Sequence, residues 1–582
     1  MPKSNTFVDG NSGFSGGLDS TRGPEDLGLD QYAKGINVRI PDIGNDIQTR
    51  NGIHCQRLFF KDHIDEDYFY NGNIQGEGWY YDGYRIVLLV CISGCIFQLT
   101  EITDGFKVKS LNRGDINNPN RTKCWITRVP YGAIVNDGEA YPLHIFEGKA
   151  TRINSAYSIR VGRMSAYVQN RFFYVDVDGR EIVASDYKNP LSIKNAYNTN
   201  IFGFPSPEDE DEITAIGRMK SVNNDSKGGS LAFATYNNLY SCDVRGDRQN
   251  WGFNGVGVVE QSLPDFGAVS SFSFEPHNTN LWFRNRDLGI VSLRSGLGQF
   301  VNNDTVLTPS ADVLNWLDLD QEEFLEFVYT KSYRNRLFTT VGASLNERGF
   351  VYFNGLISLK PNQLITPLDI APRRFESLIT GVRPMALTSI RHKDHGSSLF
   401  IWSYDSDGIN RLYKIDDDSH YDINKDFKKV EIESSIETRA FVGVKLSDID
   451  LKKLTHVQIA LANLGNNADI VVSYRDKPSD NWKKTDRKQI RVNRDPGSFS
   501  TKNTSDASFV LRSDQSREFF TRQFKIDSKG QIGIDSLRII MELANVDYES
   551  NLSQYQSFSV NRPNDFYYDI NKASLNLDNF LR

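Results

Sequence analysis

One unit keeps returning between residues 30 and 420: an apolar strand, a polar turn, then a second strand opened by Gly or Asn ahead of an aromatic or β-branched residue. Seven loose copies run from Arg85 to Leu99, Ala133 to Gly148, Arg171 to Ser185, Leu231 to Cys242, Asn280 to Leu293, Arg336 to Phe353 and Ser398 to Ile415. Their spacing of roughly 40 to 60 residues is the period of a four-stranded propeller blade. A small antiparallel sheet cannot bury both of its faces alone, whereas stacking such sheets around an axis covers the faces and leaves only short edges. The pattern predicts an all-β chain whose first three-quarters is a β-propeller of about six or seven blades. A pair of β-sandwiches shares this hairpin vocabulary and stands as the alternative.

A toroidal fold also absorbs much of the length of 582 residues, and 36 Phe, 26 Tyr and 7 Trp supply its core. After Asp416 the character changes: a charged connector (Asp416 to Asp418, then Lys425 to Lys429) precedes a second set of alternating strands. These are Val457 to Leu461, Asp469 to Tyr474, Ile490 to Val492, Phe519 to Ile526 and Ser536 to Ala544, with a polar loop from Arg494 to Asp506, which predicts a C-terminal β-sandwich. The expected division is an N-terminal arm over 1–35, a propeller over 36–420, a sandwich over 421–547 and a C-terminal arm over 548–582. The arms are poor in apolar runs but carry spaced aromatics such as Phe7, Phe14, Tyr555 and Phe566, which order against a neighbour or against the protein's own surface. Helical periodicity is rare, with Ser310 to Tyr329 the best candidate.

Charge and cysteine usage exclude several function classes. A net charge of −7 is opposite to the basic footprint of a sequence-specific nucleic-acid binder. Five cysteines, at 55, 91, 95, 124 and 242, are odd in number and lack metal spacing, so free buried thiols and folding in a reducing cytoplasm are expected. Met1 to Leu18 lacks the apolar core of a secretory signal, and the longest apolar run, Ile86 to Ile92, is far short of the ~20 residues of a membrane helix. A soluble protein is expected.

Motifs that carry chemistry are sparse. Neither a P-loop nor a strand-borne Gly-x-Gly-x-x-Gly occurs, and Gly252 to Gly257 (GFNGVG) reads as a loop. His392 and His395, flanking Lys393 and Asp394, could supply two metal ligands, but a site needs a third; a solvated turn is the expectation. The acidic run Glu208 to Glu212 lacks calcium-loop spacing, and Asp405-Ser406-Asp407-Gly408 reads as a hairpin turn. No carboxylate pair is singled out for glycoside hydrolysis. No catalytic, cofactor-binding or metal-binding residue is therefore predicted, no cofactor is expected, and the chain reads as a structural protein and not an enzyme.

Several segments, taken in order, resemble the propeller-bearing tail hub or nozzle proteins of short-tailed bacteriophages, the family that includes packaged-DNA stabilisation proteins. They are Phe14 to Asp19, Asn37 to Arg39 and Thr49-Arg50-Asn51-Gly52; then Ile134 to Gly138 with Tyr141-Pro142-Leu143. Next come Gly162-Arg163-Met164, Asn170 to Val175 and Ala184 to Pro190; and finally Ser434 to Val444, Leu454 to Leu461 and Val471 to Trp482. In the third group, Arg171 before an aromatic strand and Ser185-Asp186 with Asn189-Pro190 after the next predict a capped turn at a blade edge, Pro190 blocking further pairing. Pro205 to Glu212 and the long polar loop of the second domain depart from the family pattern.

The resemblance implies a virion tail component, assembled in the host cytoplasm as a homohexameric ring beside portal, adaptor and tail-fibre proteins. Double-stranded DNA would pass non-specifically through its lumen, retained and then ejected. A propeller that recognises a host receptor or glycan is the rival reading; aromatics clustered on one face would favour it.

Overall fold

The computed structural model describes residues 6–543 except 12, 43–45, 121, 195–200, 203–211, 220–229, 243, 245–258, 264–265, 278–279, 294–312, 314–316, 318–319, 362–374, 442–451, 463–467, 486–503, 511–518 and 520. The expected C-terminal arm, the strand Ile490 to Val492, Gly252 to Gly257 and all of the acidic run but Glu212 lie outside the described residues.

The chain is all-β, and seven antiparallel sheets follow one another from Ile74 to Asp416. The innermost strands are Ile74–Tyr81, Trp125–Val129, Ser165–Val168, Ala215–Met219, Glu275–His277, Thr330–Tyr333 and Pro384–His392. Each lies beside the next, and the seventh returns to the first, so the sheets are seven blades around one axis. Each predicted repeat supplies the middle hairpin of one blade: Ile86–Ile92 with Cys95–Ile102 in blade 1, for example, and Gly396–Tyr404 with Asn410–Asp416 in blade 7. Blade 5 has three strands among the described residues.

The ring closes non-locally. Gly52–Cys55, which precedes blade 1, pairs antiparallel with Asn410–Asp416 and becomes the fourth strand of blade 7 (Ile53 opposite Ile415). Joining the two chain ends in one sheet removes an open edge. Blade faces pack through apolar layers such as Leu89, Cys91 and Ile96 against Ala133, Val135 and Ile145 between blades 1 and 2.

The sandwich differs from expectation at its borders. The described part of the expected N-terminal arm is paired into the sandwich: Thr6–Asn11 pairs with Gly533–Leu543, and Gln31–Ile36 pairs with Glu433–Phe441. The second domain therefore takes strands from both ends of the chain, including Val38–Arg39 and Ile47–Thr49, and the propeller starts only near Gly52. Local apolar content in the head is low because its few apolar side chains complete a core made elsewhere: Phe14 and Tyr32 are fully buried, edge to face at 6.0 Å, among Ile436, Phe524 and Leu537. The connector after Asp416 is a hairpin, Tyr421–Ile423 with Lys429–Glu431, docked on Gly52–Cys55.

The two domains share a sheet. Phe375–Ile379, the outer strand of blade 6, pairs with Gly17–Leu18 (Leu18 opposite Phe375) and with Gln31–Ile36 (Ile36 opposite Leu378), so blade 6 and one sandwich layer belong to one sheet. Glu376, on that strand and fully buried, accepts from Ile40 N (3.0 Å) and from Arg336 Nε (2.9 Å). Its buried charge is thereby matched by a guanidinium, as a dry carboxylate requires.

Helix is scarce among the described residues. Of the segment expected to be helical, residues 310–312, 314–316 and 318–319 lie outside the described residues and Glu322–Phe327 forms a 3-10 turn, while His63–Asn71, not anticipated, is an α-helix capped by Asp62 Oδ1 accepting from Ile64 N (3.0 Å). All five cysteines are buried and free.

Candidate functional site: the axial cavity

In an antiparallel blade the second turn and the link to the next blade lie at the same end of the axis. Those loops of blades 2 to 6 enclose a cavity of about 330 Å³ at that end. Blade 2 contributes Lys123 and Trp125, just ahead of and on its inner strand, and Asp137 in its second turn; blade 3 contributes Arg163; blade 4 contributes Glu212 and Tyr236; blade 6 contributes Glu326.

The charges are paired across the axis. Lys123 Nζ lies 2.5 Å from Glu326 Oε2, joining blade 2 to the approach to blade 6, and 5.0 Å from the Phe327 ring centroid. Burial pushes the Lys123 amine below the usual lysine range, against the opposing pull of Glu326. Glu326 is held in place by its own carbonyl, which accepts from Ser270 Oγ at 2.8 Å. Arg163 Nη1 donates to Glu212 Oε2 at 2.8 Å nearer the mouth. Burial first, then Glu326 and Glu212, raises the Tyr236 phenol above its usual range.

Asp137 follows the hairpin rule for its Asp-Gly pair. Its Oδ1 accepts from Glu139 N (2.9 Å) and Ala140 N (2.8 Å), and Gly138 takes φ +78°, a conformation that suits a residue without Cβ. Its other oxygen, Oδ2, is buried and meets no hydrogen-bond donor.

Below the cavity the axis is filled with side chains. Trp125 donates Nε1 to Ser271 Oγ (2.9 Å) and stacks on Phe272 at 6.3 Å, which stacks on Tyr329 at 4.5 Å. Deeper still, Glu77 pairs with Lys331 (3.4 Å), Ser332 N donates to Glu275 Oε1 (3.2 Å), and Arg391 Nη2 meets His277 Nδ1 at 3.1 Å. Burial raises the Glu275 carboxyl above its usual range, with Lys331 opposing.

The remaining motifs fall elsewhere. His392 and His395 sit in the first turn of blade 7, at the opposite end of the axis, with ring centroids 5.1 Å apart and Tyr81 4.4 Å from His392. Among the described residues no three His, Cys, Asp or Glu side chains gather as metal ligands. Asp405 Oδ1 caps its hairpin turn by accepting from Asp407 N (2.8 Å) and Ile409 N (3.0 Å). The Ser185 to Pro190 stretch forms the predicted capped turn: Ser185 Oγ accepts from Phe172 N at 2.8 Å, and Ser192 Oγ donates to Asp186 Oδ2 at 2.7 Å. The cavity residues were not identified from sequence. Asp137 stands in a segment read for its Asp-Gly turn and Arg163 in one quoted for the family resemblance, but nothing local marks them as neighbours.

No family model matches the chain, and no curated protein matches it. Among solved structures, it is similar to the Neurospora crassa Pan2 WD40 domain at 7% identity and TM-score 0.32, over 59% of this chain and 89% of that one. It is also similar to the extracellular domain of a putative one-component system from B. thetaiotaomicron at 10% identity and TM-score 0.31, over 59% of this chain and 39% of that one. The propeller assignment rests on the closed order of the seven sheets.

Proposed function

We propose that this chain is a structural, non-enzymatic subunit of a bacteriophage tail hub or nozzle, with DNA passing between copies of a ring and not through the propeller itself. The observation that carries the reading is the sheet shared by blade 6 and the sandwich, which joins the two domains into one bracket suited to building a wall. The filled propeller axis agrees with it, since a duplex cannot thread a core closed by Trp125, Phe272 and Tyr329. The ordered tail-protein-like segments, among them the capped turn at Ser185 to Pro190, supply the link to that family. No helix among the described residues is long and apolar enough to cross a membrane. In this reading the subunit forms a homohexamer that contacts portal and adaptor proteins, and retention and release of the genome are mechanical. Single-particle electron microscopy of the protein alone and of the virion should show a six-fold ring or six-fold density below the portal. A monomer absent from the tail axis would refute the proposal.

A second reading has its own observation. Tyr84 and Tyr131, in the first turns of blades 1 and 2, and Phe146 and Tyr187, beside the third turns of blades 2 and 3, are exposed and share the end opposite the cavity. Tyr141, Tyr157 and Tyr236 are exposed at the cavity end as well, so the feature that suits recognition of a host glycan or protein is the exposed aromatic surface itself. A glycan array on Tyr84→Ala and Tyr131→Ala variants separates the two readings.

A further inference from the structure

The charged groups that line the axial cavity are unequally satisfied. The two cations among its described lining residues are already engaged, Lys123 by Glu326 at 2.5 Å and Arg163 by Glu212 at 2.8 Å. An anionic ligand would have to break one of those pairs. The unspent group is an acceptor: Asp137 is 4% exposed, its Oδ1 is committed to the turn, and its Oδ2 has no donor although the residue lines the cavity. An unpaired buried carboxylate oxygen is costly, and an incoming charged donor recovers that cost. Among the described lining residues, three carboxylates (Asp137, Glu212, Glu326) face two cations (Lys123, Arg163), an excess of one negative charge. Trp125, Met164 and Val177 add apolar wall, which suits the methylene stem of a long side chain.

We infer that the axial cavity binds an organic cation, an alkylammonium or guanidinium on a flexible stem, with Asp137 Oδ2 as its principal acceptor. The chemistry is that of a Lys or Arg side chain presented by a partner peptide, or of a free polyamine. Because the inference concerns the isolated chain, it survives failure of the tail assignment, and a ring seen by microscopy would not establish it.

The test is calorimetric titration of the full-length protein with acetyl-arginine methylamide, acetyl-lysine methylamide and spermidine, using acetyl-citrulline methylamide as the neutral isostere of arginine. Saturable binding of a cation, with citrulline weaker by about tenfold or more, is expected. Preference for the amino-acid probes identifies a peptide side chain as the natural source; preference for spermidine identifies a polyamine. Asp137→Asn keeps an oxygen for the turn and replaces Oδ2 by a donor, so it should lower affinity about tenfold with Tm unchanged. Should that variant fold poorly, the exposed Glu212→Gln change tests the same charge excess and should weaken binding by a smaller factor. The inference is overturned if no cation binds saturably by about 10 mM, if citrulline binds equally well, or if both variants bind like the wild type.

Discussion

Arg50 grips Asp422, 372 residues further along the chain, through two parallel hydrogen bonds of 2.8 Å, where the chain leaves the sandwich and enters the propeller. Arg50 Nε also donates to Asn37 Oδ1 (2.9 Å), and Asp422 Oδ1 accepts from Ile53 N (2.8 Å). One guanidinium thus ties the last sandwich strand before the propeller, the closing strand and the connector hairpin together. Removing it takes away the charged partner of Asp422 and the donor to its Oδ2, while Ile53 N and Thr380 N still serve Asp422 Oδ1 and Asn37 Oδ1. Arg50→Met should lower stability by roughly 2–4 kcal/mol in urea denaturation; a change below about 0.5 kcal/mol would mean that the clasp is not structural.

Ring closure depends on Ile53, which is buried in the short strand that completes blade 7. Ile53→Ala removes three carbons from a packed core and should cost about 2–4 kcal/mol in the same assay. A surface control on blade 1, Tyr84→Ala, should stay within about 0.5 kcal/mol.

Glu275 makes stability depend on pH. Its folded-state carboxyl titrates above the usual range because of burial, so in the window above the unfolded-state value of about 4.3 the folded state holds the proton more tightly. Its contribution is fully present below that value and is lost as pH rises through the folded-state value. Glu275→Gln keeps an oxygen for Ser332 N and cannot ionise, so the variant should lose less stability than the wild type as pH is raised from about 4 to 7. Denaturation midpoints across that range give the comparison; parallel curves would count against it.

The thiols should be inert while the protein is folded. Burial pushes Cys55 up to about 11 and Cys95 and Cys242 up to about 12, and all five cysteines are buried. At pH 8 alkylation followed by mass spectrometry should label none in the native protein and all five in denaturant.

Much of the fold was legible because its signals are short-range. A β-hairpin places its partners within about twenty residues, and alternation with turn chemistry marks both strands, so all seven middle hairpins were found at their true positions. Turns written in side chains were equally visible: Asp405 and Ser185 cap the chain where Asp-Gly and Ser-Asp-x-x-Asn-Pro said they would. The head of the chain reads as an arm because Phe14 and Tyr32 stand in short, interrupted apolar stretches; the core they complete is built from distant segments, among them Phe375, Ile436, Phe524 and Leu537.

The sequence by itself determined an all-β chain, its repeat, its hairpins and the presence of a second domain, since each depends on contacts within a few dozen residues. Only the tertiary structure decided that there are seven blades, that Gly52–Cys55 closes them and that Thr6–Asn11 and Gly533–Leu543 share one sheet of the sandwich. It alone assembled the axial cavity, whose residues come from five blades and meet only when the ring is complete. The physical reason is that closure and cross-axis pairing join segments hundreds of residues apart, and such partners leave no periodic trace along the chain.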